Sequence, residues 1–191
     1  MSVAPPPLGT TSADAGVPEP RARALDALLG DGHAIDGRAR PHVLLVTDIG
    51  PDPDDAKALL FAATMHRERH IALCGVVANG GHQALQRARL ARCVLDHLRL
   101  HKVPVGVGTA GKESAPMPHE YALPGYDDVN DARLVPGARL IVDVLRSAPA
   151  RSVRVVLISS LRDFADILAA DALLVLRKVH TVAVQGGLEP D

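Results

Sequence analysis

Val43-Leu44-Leu45-Val46-Thr47-Asp48-Ile49-Gly50-Pro51-Asp52-Pro53-Asp54-Asp55-Ala56 is the stretch on which the reading of this sequence turns. An apolar run ends at Asp48 and a Gly-Pro step follows. Three more carboxylates then precede a segment in which Ala56, Leu59, Leu60 and Ala63 repeat at helical spacing. That order predicts a buried strand over residues 42–48, a tight acidic turn, and a helix from Pro53 to about Arg67. Asp52 suits the helix N-cap, and Pro53 suits the first helical position, where its missing N–H costs nothing. A helix start accounts for Asp52, Asp54 and Asp55, because first-turn acids favour the positive end of the helix dipole. It does not account for Asp48 at the end of an apolar strand. Carboxylates crowded at a strand exit repel one another unless protons or a cation relieve them. With no His or Cys nearby in sequence, the donor set suits Ca2+ or Mg2+ far better than zinc.

Working outward, apolar runs predict further strands over residues 71–78, 103–107, 153–159 and 180–184. Helical patterns cover 83–98, 136–147, 161–170 and 172–177. In the first of these, Ala84, Ala88, Ala91, Leu95 and Leu98 are expected to face inward, with Arg87, Arg89 and Arg92 toward water. Strands alternating with helices imply an α/β domain with a doubly wound, mostly parallel sheet, helices on both faces and right-handed crossovers. Ligands in such sheets sit outside the carboxyl ends of the strands. The most polar exits are Asp48 to Asp55, Asn79 to His82, and Ser159-Ser160.

The composition agrees. Of 191 residues, 47% are apolar but only 2% aromatic, with no Trp. The core must therefore be built from Val, Leu, Ile and Ala, as in a parallel sheet buried on both faces. A net charge of −1 without a basic run argues against a phosphate-binding footprint, and so against nucleic acid as a partner. Cys74 and Cys93 read as a reduced, buried pair. No apolar run reaches a membrane-spanning length and no secretory signal opens the chain, so the cytoplasm is the expected location. Residues 1–40 read as a disordered tail with a short helix near 21–29. Residues 41–191 read as the α/β domain.

Asp48-Ile49-Gly50-Pro51-Asp52-Pro53-Asp54-Asp55-Ala56 resembles the N-terminal signature of the inosine-uridine preferring nucleoside hydrolases, in the branch whose acidic loop reads D-I-G-x-D-x-D-D. The resemblance continues through Gly75 to Gly80, through Val155 to Leu161, and into Val182-Ala183-Val184-Gln185-Gly186-Gly187. It implies a nucleoside hydrolase-like α/β fold, C-terminally truncated, and hydrolysis of the N-glycosidic bond of a ribonucleoside to ribose and free base. It also implies a bound Ca2+ that holds the ribose hydroxyls and a water. Asp48, Asp55 and the backbone carbonyl of Ile158 would be calcium ligands, Asp54 the general base, and Asn79 a contact to the sugar. His119 in the long segment 112–135 lies roughly where the family places a His-Gly pair in the pocket. Asp52 has no secure counterpart. The family's sequences are longer, and their later half supplies a further calcium-ligating Asp and a His near the leaving base.

Two readings follow. The chain acts as a ribonucleoside hydrolase, or it is a Ca2+- or nucleoside-binding protein that needs a second half to complete its pocket. A truncated sheet would leave an open edge prone to self-pairing, which allows a homo-oligomer. A third reading, a zinc deacetylase with an H-P-D-D turn, founders on Asp52 standing where that turn needs His. Tyr121 and Tyr126 are candidates for stacking on a base or for packing the loop, and His82 for a surface helix start. Asp127, Asp128 and Asp131 read as a solvated acidic loop.

Overall fold

The computed structural model describes residues 40–80, 83–110 and 123–186. The tail, the short N-terminal helix, His82, His119, Glu120 and Tyr121 lie outside the described residues.

Strand β1 (His42–Thr47) is followed by helix α1 (Pro53–Arg67), β2 (Ala72–Ala78), α2 (Ala84–His97) and β3 (Val105–Val107). A 3-10 turn (Asp131–Arg133) leads into β4 (Leu134–Pro136), then α3 (Gly137–Ser147) and β5 (Val153–Leu157). Helices α4 (Arg162–Ala170) and α5 (Ala172–Lys178) precede β6 (Val179–Val184). The strands form one sheet in the order β4-β3-β2-β1-β5-β6, and every pairing is parallel. The chain steps outward from β1 to β4, returns across the sheet through α3, and resumes on the other side of β1. The direction of travel therefore reverses between β1 and β5. In an open parallel sheet that reversal leaves a crevice at the strands' carboxyl ends, because the loops leaving the two strands diverge to opposite faces.

Alternate residues of β1 feed two separate cores. Val43 and Leu45 pack with Leu59 and Ala63 of α1 and Ala88, Ala91 and Leu95 of α2. Leu44 and Val46 pack with Leu140, Ile141, Val144 and Leu145 of α3, Phe164 and Ile167 of α4, and Val175 of α5. This is the two-faced sheet that the aromatic-poor composition implied. Near β6 the cover thins. Of that strand only Val179 is buried; Val182 and Val184 are 43% and 55% exposed. Among the described residues β6 pairs with β5 alone. No described helix is long and apolar enough to cross a membrane.

Several expectations need correction. Strand β4 straddles the end of segment 112–135, expected to be an irregular loop, and Pro136, expected to open the next helix; three residues ending in a proline carry almost no periodic signal. Leu60 is exposed rather than inward. Arg92 does not face water. Its side chain is 2% exposed, donating to the carbonyls of Val103 and Leu100 and lying 3.1 Å from Asp96. Arg87 is also drawn inward. Asp131 is not merely solvated, since it receives two 2.6 Å hydrogen bonds from Arg89. Together with the bidentate Arg133–Asp96 pair (2.7 and 2.8 Å), this pins the segment before β4 onto α2. Tyr126 packs against the α1/α2 core. Both cysteines are free, Cys93 buried and Cys74 half-buried.

Ile141 is fully buried in the α3-side core, whereas Leu173 is 63% exposed. Ile141→Ala should lower the unfolding free energy by about 2–5 kcal/mol, and Leu173→Ala should change it by less than about 0.5 kcal/mol, as measured by urea denaturation. Equal effects would contradict this placement of the core.

Candidate functional site

The acidic turn leaves β1 at the crevice between β1 and β5. Thr47, the last residue of β1, is fully buried, and its side chain works in two directions. Its hydroxyl donates to the Asp55 carboxylate, and the same oxygen accepts from the Ile49 N–H at 3.1 Å. This clamp ties the start of α1 back to the end of β1. Asp52 occupies the N-cap position of α1 with extended backbone angles, but its side chain makes no capping bond; Pro53 supplies the first helical position. The capping role expected for the Asp52 side chain is therefore not found.

Asp55 is 8% exposed although it carries a carboxylate. Burial pushes its pKa up, and the charges of Asp48 and Asp54 push it further. The Thr47 hydroxyl and the Asp48 backbone N–H pull the other way without cancelling the rise. Asp48 is half-exposed and Asp54 is exposed. The Asp48 carboxylate lies 3.4 Å from the guanidinium of Arg87, which reaches over from the first turn of α2. Gly80, at the exit of β2, packs against Asp48. With φ at +87°, it adopts a conformation that side chains disfavour, and a Cβ there would meet the Asp48 Cβ at 3.0 Å.

Asn79, at the end of β2, is fully buried and its amide is engaged within the protein. Its nitrogen donates to the Ser160 carbonyl (2.9 Å) and to Asp163 (2.8 Å), and its oxygen accepts from the Ser159 hydroxyl (2.7 Å). Asp163, 3% exposed in the first turn of α4, also accepts from the Thr109 N–H (2.9 Å) and hydroxyl (3.1 Å). Gly108 is required where these groups meet, since a Cβ would fall 2.7 Å from the Asn79 Cβ and 2.9 Å from the Asp163 carboxylate. The network joins the exits of β2, β3 and β5, and it fixes the segment immediately after Ile158. The Ile158 N–H itself bonds to the Val46 carbonyl at 3.0 Å, which puts this residue beside the acidic turn.

Of the residues singled out from sequence, Asp48, Asp54 and Asp55 come together at one turn. Ile158 stands on the neighbouring strand exit, and Asn79 binds that exit rather than facing an open pocket. Asp163, Thr109, Thr47 and Arg87 escaped the sequence reading. Asp163 looked like an ordinary first-turn acid, and no local spacing links it to Asn79.

The donor chemistry of Asp48, Asp55 and the Ile158 carbonyl is all hard oxygen, and the Asp55 pKa is raised first by burial and then by the charges of Asp48 and Asp54, which a cation would offset. Oxygen donors of this kind are the type that Ca2+ takes. Among the described residues, no three His, Cys, Asp or Glu side chains gather closely enough to hold a metal by themselves. A cavity of about 870 Å³ lies at the opposite, amino end of the strands, lined by His42, His66, Lys102 and Arg139 among others. It contains none of the acidic-turn residues.

No protein-family model and no curated protein matches the chain. Solved structures do. The type III effector protein XopQ, complexed with adenosine diphosphate ribose, aligns with a TM-score of 0.69 and 26% identity over 92% of this chain and 50% of its own. The effector protein XOO4466 aligns at 0.67 and 26% over 81% of this chain and 46% of its own. A plant nucleoside hydrolase, PpNRh1, aligns at 0.57 and 16% over 78% of this chain and 49% of its own. The chain thus has the α/β fold of nucleoside hydrolases and spans about half the length of the structures it matches.

Two expectations follow. Asp163→Ala would strip acceptors from the buried Asn79 amide and Thr109 N–H, costing about 2–4 kcal/mol in chemical denaturation, while Asp166→Ala on the exposed face of α4 would cost little. For Asp55, a folded pKa above the unfolded 3.8 means that the folded state holds this proton more tightly. Its stabilising contribution is full below 3.8 and is lost as pH rises through the folded value. In Ca2+-free buffer, Asp55→Asn, which can still accept from Thr47, should lose less melting temperature than wild type between pH 4 and 7.

Proposed function

We propose that the crevice between β1 and β5 binds a ribose-bearing small molecule, and that the site performs hydrolysis of a ribonucleoside N-glycosidic bond. The observation that carries this reading is the buried, crowded Asp55 beside Asp48 and Asp54 at the switch point of a nucleoside hydrolase fold. Asp48, Asp55 and the Ile158 carbonyl would hold Ca2+, which when bound supplies positive charge for the ribose hydroxyls and polarises a water.

The chain's own groups do the rest. Asp54, exposed in the first turn of α1, takes a proton from the attacking water on a carboxylate oxygen. The water oxygen forms its bond to C1′ as the C1′–N bond breaks, and the base leaves with that electron pair and gains a proton. Negative charge from the acidic turn favours the oxocarbenium character of the transition state. The Asn79–Asp163–Ser159 network keeps the β5 exit from drifting away from the turn, a requirement where small displacements cost rate.

A second reading is binding without turnover. It is favoured by the match to XopQ, a protein solved complexed with adenosine diphosphate ribose.

With Ca2+ present, the protein should bind inosine, uridine or adenosine diphosphate ribose in calorimetry and release base or p-nitrophenol from a riboside. Asp54→Ala should lower turnover by about 10²–10⁴-fold and leave binding largely intact; Asp48→Ala should lose both. Binding with no turnover selects the second reading. No binding of any ribosyl compound by folded, Ca2+-supplied protein would sink both.

A further inference from the structure

We infer that Arg87 acts as a built-in counter-ion to the acidic turn and competes with the divalent cation for Asp48. This rests on the calcium reading above. Arg87 stands in the first turn of α2, just beyond the exit of β2, and its guanidinium lies 3.4 Å from the Asp48 carboxylate. Its side chain is 14% exposed. A guanidinium keeps its charge at every accessible pH, so the compensation is permanent. A pair with one member largely withdrawn from water is screened less than a surface pair.

The pairing is also confined. Gly80 packs against Asp48: a Cβ there would lie 3.0 Å from the Asp48 Cβ and 3.6 Å from the same Oδ2 that faces Arg87. Asp48 therefore has little freedom to turn from Arg87 toward a cation by moving into β2. Two cations sharing one carboxylate repel each other, and the Coulomb energy at such separations is appreciable even in a medium of high effective dielectric. Metal binding at Asp48 must displace the guanidinium or tolerate it nearby. Arg87 thus stabilises the cation-free turn and weakens its affinity for Ca2+.

The test is calorimetric titration of the full chain with CaCl2 at constant ionic strength. Arg87→Met should bind Ca2+ about five- to tenfold more tightly than wild type, and Arg87→Lys should stay near wild type. Without Ca2+, Arg87→Met should melt at a lower temperature than wild type, and saturating Ca2+ should narrow the gap. In an Asp48→Asn background without Ca2+, the Arg87→Met loss of melting temperature should shrink. Calcium binding by wild type that Arg87→Met leaves unchanged or weakens would overturn the counter-ion role and leave the calcium reading standing. So would a melting loss that Asp48→Asn leaves undiminished. Absence of calcium binding in both wild type and Arg87→Met, each folded by circular dichroism, would overturn both.

Discussion

The buried carboxylate of Asp163 is the tie on which the site's geometry depends. It gathers the Asn79 amide and both polar groups of Thr109, and through Asn79 it reaches Ser159 and Ser160. Three strand exits are thereby joined by side chains, in addition to backbone bonds such as that from the Gly80 N–H to the Thr109 carbonyl at 3.2 Å. A charge withdrawn from water is costly unless fully hydrogen-bonded. The same cost makes the arrangement definite, because alternatives leave donors or the carboxylate unsatisfied. Gly108 is the steric counterpart: its missing side chain is the space in which the groups meet.

The acidic turn and this network are complementary in their physics. The network is closed, each donor answered by an acceptor. The turn is left with excess negative charge, answered in part by Thr47, by the Asp48 N–H and by Arg87. A fold that satisfied both equally would have no affinity left for anything else. Leaving one cluster under-compensated beside a rigid one is how a site holds its shape while still attracting a ligand.

Much of this was legible in the residues. Strands β1, β2 and β5 announce themselves because central parallel strands are apolar on both faces, and Pro53 marks the start of α1 because proline is welcome there and almost nowhere else in a helix. The crowding at Asp48, Asp54 and Asp55 is readable because no single local role absorbs all three. Strand β4 was not legible; three edge residues are held by pairing with β3, which no local pattern records. The arginines of α2 show a signal that was there to be used. Around the helix, Arg87 and Arg92 fall about 70° from the face centred on Ala84, Ala88, Ala91 and Leu95, and Arg89 about 130°. Only Arg89 points well away, and the two flanking arginines are the ones drawn inward. Asp163 was illegible for another reason: its partner Asn79 is 84 residues away, and the encounter exists only once the sheet has formed.

Strand β6 has a consequence for how this architecture can vary. Its outer backbone edge meets no other strand among the described residues, and Val182 and Val184 stand open beside it. Backbone donors and acceptors accept any extended segment of suitable register, whatever its side chains. Growth of the sheet by strand addition on this side would therefore begin at β6. That outer edge lies two strands from β1, the strand that carries the acidic turn.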